Sequence, residues 1–499
     1  MMDDAAAPHV LPTGGNEGKQ AAMEIAEGAR ETEWKSVSFA AELFLGRVRA
    51  DLIHPFPMQG EEDRRKGDEY IAKVASFLRD RLDAEAVDRE GRIPPDVLQG
   101  LKDLGVFRMK ITAEYGGLGL SQTNYVRVNE VIASHCGSTT TWVSAHQSIG
   151  VPQPLKLFGT PEQKKKYFPR IAAGAISAFA LTEPDVGSDP ARMTTTATPT
   201  PDGKHYLING EKLWCTNGPD ADLLVVMACT PPKITNGKEK KQITAFIVDR
   251  AESPWEVVHR CSFMGLRGLS NGLLRFRDVK VPAENIMLGP GRGLKLALTT
   301  LNTGRLTLPG AAMGAAKQAL RAARRFAARR VQWGQPVGRH EAIAAKLARM
   351  AADIFALEAA VRYPCMLVDR GAEEIRLEAA IAKMFGSEAA WRIIDDAIQI
   401  CGGRGYETQA SLRARGEEPW ALERALRDCR VNLIFEGSSE IMRLFIAREA
   451  MDPHMKLGLP LLHPRSTLGQ RAAAAARMAL FYARWYPARW FRADALARH

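Results

Sequence analysis

No two of the seven cysteines stand in a C-x-x-C pair; they are odd in number and scattered from Cys136 to Cys429. This argues against a disulfide framework and a zinc site and for a reducing compartment. No metal is expected. Apolar runs never approach the roughly 20 residues that span a bilayer. Met1 to Gly15 holds Asp3 and Asp4 but neither Arg nor Lys, so it lacks the basic flank of a secretion signal and the Arg-rich texture of a transit peptide. A bacterial cytoplasmic protein is expected. Internal repeats are missing too, and the one low-complexity tract is Ala472 to Ala476.

What is present is a long soluble-type chain. Its 499 residues, 46% hydrophobic and 25% charged, suffice for two or three packed units. The net charge of +11 is concentrated at one end: residues 455–499 carry eight Lys or Arg against one Asp. The body is therefore close to balanced, and nucleic acid is not an expected partner.

Texture divides the chain. After an extension over 1–60, residues 61–177 read as helical: Ile71, Val74, Ala75, Phe77 and Leu78 recur at helical spacing, and Pro94-Pro95 opens a helix with Val97, Leu98, Leu101 and Leu104 on one face. Over 178–289 short β-rich runs such as Leu223 to Met227 and Ile243 to Val248 alternate with turns, including Asn217-Gly218 and a charged loop from Asn236 to Lys241. An antiparallel sheet is predicted there. Over 290–454 long Ala-rich helices return, at Leu294 to Arg330, Arg339 to Arg370 and Ile375 to Ile400. The fold class is α+β, a β domain between two helical bundles, with a basic tail over 455–499.

Three local motifs carry candidate chemistry. Phe179-Ala180-Leu181-Thr182-Glu183-Pro184-Asp185-Val186-Gly187-Ser188 offers hydroxyls and a tight turn whose N–H groups suit an anion. Leu213-Trp214-Cys215-Thr216-Asn217-Gly218 places an indole and a hydroxyl beside a turn. Ile434-Phe435-Glu436-Gly437-Ser438-Ser439-Glu440-Ile441 sets one carboxylate before a side-chain-free residue and two hydroxyls. Taken singly, each reads as a boundary loop, a core Trp or a helix-start acid.

Together, in this order, with Ala145 to Gly150 and Phe385 to Trp391, the motifs resemble the acyl-CoA dehydrogenase flavoproteins, nearest the very-long-chain type, over Lys35 to Met455. The resemblance implies FAD as cofactor. Phe179, Leu181 and Thr182 would line the flavin's pyrimidine edge, and Trp214 and Thr216 its other side. Arg330 and Gln332 would bind the FAD pyrophosphate of a neighbouring subunit, and Gln399, Ile400, Cys401, Gly402 and Gly403 its adenosine. Ser438, Ser439 and Glu440 would add a further FAD contact. Ser188, on the flavin loop, would add a cofactor contact and matches a contact to the CoA part of the substrate; Asn302, Thr303, Gly304, Arg305 and Gly437 would also touch substrate. Glu436 would be the base that takes the α-proton while hydride leaves the β-carbon. Implied partners are acyl-CoA, an electron-transfer flavoprotein and a second copy of the chain in a homodimer. A biosynthetic oxidase or dehydrogenase acting on a carrier-protein thioester, and a catalytically idle assembly partner, are the alternatives.

Departures from the pattern are few. Gly304 stands where some branches carry the base, so Glu436 has no rival; Glu341 replaces a usual Gln and is not taken as a ligand. The stretch Gln409 to Trp420 is an insertion without a role. Small Ala145 would deepen the acyl pocket, whereas Trp142 one turn earlier would block it; long chains are expected. In the tail, Leu468, Ala475, Ala479, Tyr482 and Tyr486 share a helical face, with Pro487 as the stop and Trp490-Phe491-Arg492 beyond. Such a helix either packs on the body or meets an anionic membrane at its inner face.

Overall fold

The computed structural model describes residues 36–491 except 236, 373 and 463–465. Helix α1 (Phe39–Phe44) packs on the C-terminal helices Arg376–Cys401 and Ser439–Leu462, while α2 (Glu61–Arg81), α3 (Gln122–His135) and α4 (Gly137–Ser144) lead the N-terminal bundle. Their ends follow local chemistry. Glu61, Glu62 and Asp63 open α2 while Arg79 and Arg81 close it, each matching the sign of the nearby helix end. The Ser121 hydroxyl accepts from the Asn124 N–H at the start of α3. Directly after α4 the chain makes a π-helical turn over Ala145–Ile149. This turn is pinned by His146, whose Nδ1 accepts from the Ser177 N–H at 2.9 Å and whose Nε2 lies 2.9 Å from the Phe107 carbonyl. Burial pushes that imidazole down to about 4, so it stays neutral.

The sheet has eight strands: β1 (Ser177–Ala180), β2 (Thr196–Pro199), β3 (His205–Thr216), β4 (Leu223–Thr235), β5 (Lys238–Asp249), β6 (Glu256–Arg260), β7 (Asn271–Pro282) and β8 (Ile286–Met287). Their order is β6-β7-β3-β2-β4-β5-β8, with β1 beside β4. The sheet is mixed, not purely antiparallel as expected. Strand β1 leaves the helical bundle already aligned with β4, pairing Ser177 with Leu223 through Ala180 with Val226 in parallel, and β2 also meets β4 in parallel. The expected charged loop at 236–241 is largely strand. Ladder pairs reach Thr235 and Lys238, and the Lys241 ammonium is drawn to the carbonyls of Ala191 and Met193 at 3.0 and 2.7 Å.

One buried ion pair ties the sheet to the preceding loop. Lys212 on β3 meets Glu183 at 2.8 Å, both side chains within 3% of full burial, and Lys212 also donates to the Leu181 carbonyl. Burial alone would raise the Glu183 carboxyl; Lys212 and the hydrogen bonds from Thr195 and Thr194 outweigh it and hold it at about 2.

Helices α5 (Gly293–Arg329), α6 (Glu341–Asp369), α7 (Arg376–Cys401), α8 (Leu422–Cys429) and α9 (Ser439–Leu462) form the second bundle. The tail helix α10 (Leu468–Phe491) packs on α9 and on the segment after α1. His454 stacks on Tyr482 and lies 2.8 Å from its hydroxyl; the Trp485 indole donates to the Leu45 carbonyl at 2.9 Å. The inward face is Ala474, Met478, Phe481, Tyr482 and Trp485, whereas Leu468, Ala475, Ala479 and Tyr486 point outward. Large aromatics outweigh alanines in apolar area, so they decide which face docks. Pro487 does not end the helix. A proline removes one backbone donor, a small loss close to a helix end. The side chains of Trp490 and Phe491 and all of Arg492 lie outside the described residues.

Replacing Lys212 with Met strands a buried carboxylate and is expected to cost about 3–5 kcal/mol at neutral pH. Because the folded-state value of Glu183 lies below its ordinary one, the stability from the pair exists above about pH 4.5 and fades as pH falls toward 2. Urea unfolding of both proteins at neutral and acid pH checks this: the gap must narrow in acid.

Candidate active site

Glu436 lies on the turn between α8 and α9, in the left-handed region at φ 54°, and Gly437 follows at φ 94°. Two consecutive residues there reverse the chain within one turn. That positive φ is what calls for glycine at 437; a Cβ would also stand 2.5 Å from Met442 Cε, the flexible end of a side chain that can move aside. The carboxylate reaches across to α5: a Cβ built on Gly304 would lie 2.8 and 3.2 Å from its two oxygens and 3.0 Å from Ile149 Cγ2. Gly304 is thus the floor beneath Glu436.

Glu436 is half-buried, and its carboxylate Oε2 is shut off from solvent with no hydrogen-bond partner in the protein. Burial pushes it up to about 7, against the opposing pull of Lys383 and then Arg305. Lys383, on α7 and fully buried, donates its ammonium to the Gly437 carbonyl. Burial lowers that ammonium to about 8 against the pull of Glu436. Arg305 holds Asn302 Oδ1 at 3.1 Å and reaches the Glu436 carbonyl at 3.5 Å. A carboxylic acid poised near neutrality beside two cations can take and return a proton at physiological pH.

The opposite wall comes from the sheet. Trp214, at φ 54° and 56% exposed, sits two residues before Thr216 at the end of β3. Asn271 fixes both, donating to the Trp214 carbonyl at 3.2 Å and to the Thr216 hydroxyl at 2.9 Å. Thr216 therefore keeps its own proton to give to a ligand. Leu213 donates to the Thr182 carbonyl at 2.9 Å, which joins the two expected flavin loops edge to edge. An exposed indole over an open cavity, flanked by unspent hydroxyls, fits a flat ring with polar edges.

A cavity of about 1040 Å³ brings together Phe179, Leu181, Thr182, Ser188, Trp214, Thr216, Arg305, Glu436, Gly437 and Ser438. Asn302, Thr303 and Gly304 stand behind it on α5. A second group lies elsewhere and lines none of it. Arg330 and Gln332 are exposed around the two-residue strand after α5, and Gln399, Gly402 and Gly403 are exposed where α7 ends. Ile400 and Cys401 carry their side chains into the core, so any ligand there meets only their backbone. Ser439 is buried with an unpartnered hydroxyl, and Glu440 points to solvent in the first turn of α9. Lys383 escaped the sequence reading; its only signal was a lone cation inside the apolar run before Met384 and Phe385. Among the described residues no cluster of three His, Cys, Asp or Glu side chains is placed to hold a metal.

Because the folded-state value of Glu436 is raised, folding is favoured when it is protonated, and that contribution is lost as pH rises from about 4.5 through 7. Glu436→Gln is expected to gain about 3 kcal/mol over the wild type on going from about pH 4.5 to pH 8. Denaturant unfolding of both proteins at the two pH values measures it.

Three family descriptions cover the chain in succession: acyl-CoA dehydrogenase N-terminal domain over 66–175, middle domain over 178–279 and C-terminal domain over 291–451. The chain is 51% identical over 470 residues to the probable acyl-CoA dehydrogenase FadE10 of Mycobacterium tuberculosis H37Rv, spanning 94% of this chain and 72% of that one. To the mitochondrial very long-chain specific acyl-CoA dehydrogenase of Rattus norvegicus it is 39% identical over 446 residues, 87% and 66% of the two chains. The crystal structure of an acyl-CoA dehydrogenase complexed with FAD from Bacillus anthracis matches with a TM-score of 0.73 at 30% identity, covering 85% of this chain and 73% of that one. By sequence along most of its length and by fold, the chain belongs to the acyl-CoA dehydrogenase family.

Proposed function

We propose that the protein converts long-chain fatty acyl-CoA to the trans-2-enoyl thioester, with Glu436 removing the α-proton. The observation that carries this reading is the Glu436 carboxylate, its Oε2 shut off from solvent and without a partner, on the cavity that Thr182, Trp214 and Thr216 also line. The family is FAD-dependent. FAD, when bound, would supply the acceptor for the β-hydride. Phe179, Leu181, Thr182, Trp214 and Thr216 would hold its ring, and Ser438 and Ser439 would stand nearby.

The remaining work falls to the chain's own groups. An α-proton next to a thioester is a far weaker acid than a carboxylic acid, so the base must be strengthened and the enolate stabilised. Desolvation strengthens Glu436, while Lys383 and Arg305 keep it partly ionised near neutrality. The Glu436 backbone N–H is the protein's donor to the thioester oxygen. Ser188, at the cavity mouth, suits the CoA portion.

Long chains are favoured by the path beyond the base. Ala145, Thr141 and Thr140 line the cavity, while Trp142 turns away to pack edge-on against Phe107. The exposure of Arg330, Gln332, Gly402 and Gly403 supports a homodimer in which they hold the second copy's FAD. The exposed Trp214 supports electron passage to an electron-transfer flavoprotein. In the tail, the inward aromatics support docking on the body; a membrane contact would fall to the outward Arg477 and Arg484. No described helix is long and apolar enough to cross a membrane, and a cytoplasmic site fits.

Anaerobic palmitoyl-CoA is expected to bleach the yellow holoenzyme, and Glu436→Gln to keep FAD and ligand while losing at least about 10³-fold in reduction rate. Near-normal bleaching of that variant refutes the role. The active form is the carboxylate, so the wild-type rate should climb with pH through about 7. Lys383→Met removes a charge that lowers this value, so the rise should move to higher pH; stopped-flow flavin absorbance across pH reads both.

A further inference from the structure

The insertion Gln409 to Trp420 forms a short helix over Gln409–Ala414 and returns irregularly to α8. It is pinned at both ends. Arg413 pairs with Glu85 of the N-terminal bundle at 2.5 Å. Glu418 takes Arg325 at 2.6 Å and Arg329 at 3.1 Å, both in the last turns of α5. Arg325 also lies over the Trp420 ring, 5.6 Å from its centre. On either side of these anchors, Gln409, Pro419 and Trp420 line the same cavity as Glu436.

One strip of the wall from the base to that far end is small and apolar, beside Gln318, Arg321 and Arg325 of α5, which also line the cavity. On α5 it is Leu308, Ala311, Ala315 and Ala322, with Thr141 opposite on α4. The Thr141 hydroxyl is spent on the Gly137 carbonyl at 2.9 Å, which leaves its methyl group for the groove. That strip offers an alkyl chain apolar contact along its length. From Gly304 to Ala322 the helix rises ~27 Å. An extended chain advances about 1.2 Å per bond, so the groove takes roughly 20 carbons before it meets the insertion.

We propose that the insertion is the end wall of the acyl-chain groove and that Trp420 sets the longest chain accepted. This rests on the reading of the cavity as an acyl-CoA site. Each methylene buried in the groove should tighten binding roughly fourfold. A carbon beyond Trp420 has to fold back or stay in water, so the gain stops there.

Calorimetric titration of the holoenzyme with 3-thia analogues of saturated acyl-CoAs, from octanoyl to hexacosanoyl, which have no β-hydrogen to transfer, tests this without relying on turnover. In the wild type the affinity should rise with chain length and break near 20 carbons. Trp420→Ala should move the break to chains at least two carbons longer. Trp420→Leu, which keeps an apolar group in the core, should move it the same way and carries the test if the alanine variant does not fold. A break at the same length in the wild type and in either folded variant overturns the proposal, as does a wild type without a break. Loss of flavin bleaching by the unmodified acyl-CoAs at every chain length overturns the dehydrogenase reading instead, and the break in affinity still reports on the wall.

Discussion

A carboxylate held out of water is the constraint on which the rest of the site depends. Burial makes Glu436 a stronger base and at the same time penalises the folded state whenever it ionises. The protein answers with geometry more than with pairing. Lys383 spends its hydrogen bond on the Gly437 carbonyl, not on the carboxylate, and so fixes the turn while acting on Glu436 only through space. A direct salt bridge would have neutralised the base. Gly304 completes the arrangement by leaving the carboxylate room at the helix surface.

The acceptor side answers a different problem, that of holding two loops from distant parts of the sequence in one plane. Glu183 and Lys212 do this from beneath. Their attraction is worth keeping in a dry interior only because Thr194 and Thr195 fill the remaining lone pairs of the carboxylate. With Leu181 tied to Lys212 and Thr182 to Leu213, the positions of Trp214 and Thr216 follow from β3 itself. Strained residues gather where the walls meet: Trp214, Leu266 and Glu436 all line the cavity at positive φ.

Much of this was legible in the chain. Trp214 with Thr216 and Glu436 with Gly437 read singly as a core Trp and a helix-start acid and took on a shared meaning only from their order along the chain, whereas helices whose apolar residues recur at 3.6 could be read directly. Facts that depend on what lies opposite could not. The parallel pairing of β1 with β4 leaves no mark on either strand alone. In the tail, alanine spacing pointed to one face of α10 and the aromatics docked another, because periodicity gives a stripe but not its strength. Lys383 lies within an ordinary helical pattern, and only the turn from the far end of the chain gives it a partner.

The two ends of the cavity differ in what they tolerate. Around Glu436 every neighbour is fixed by charge, by positive φ or by the lack of a Cβ, so little can change without altering the base. At the far end the wall is made of alanines, one indole and ion pairs that are largely exposed. Exposed pairs contribute only about 0–1 kcal/mol each, so Glu418 and Arg413 set where the insertion sits more than how stable it is. Its footing is apolar, through Leu412 and Leu422, both buried. Groove length is therefore a property that can vary while the reacting end stays as it is. On the proposed reading, the acyl group accepted would change with a segment about 25 Å from Glu436 along α5.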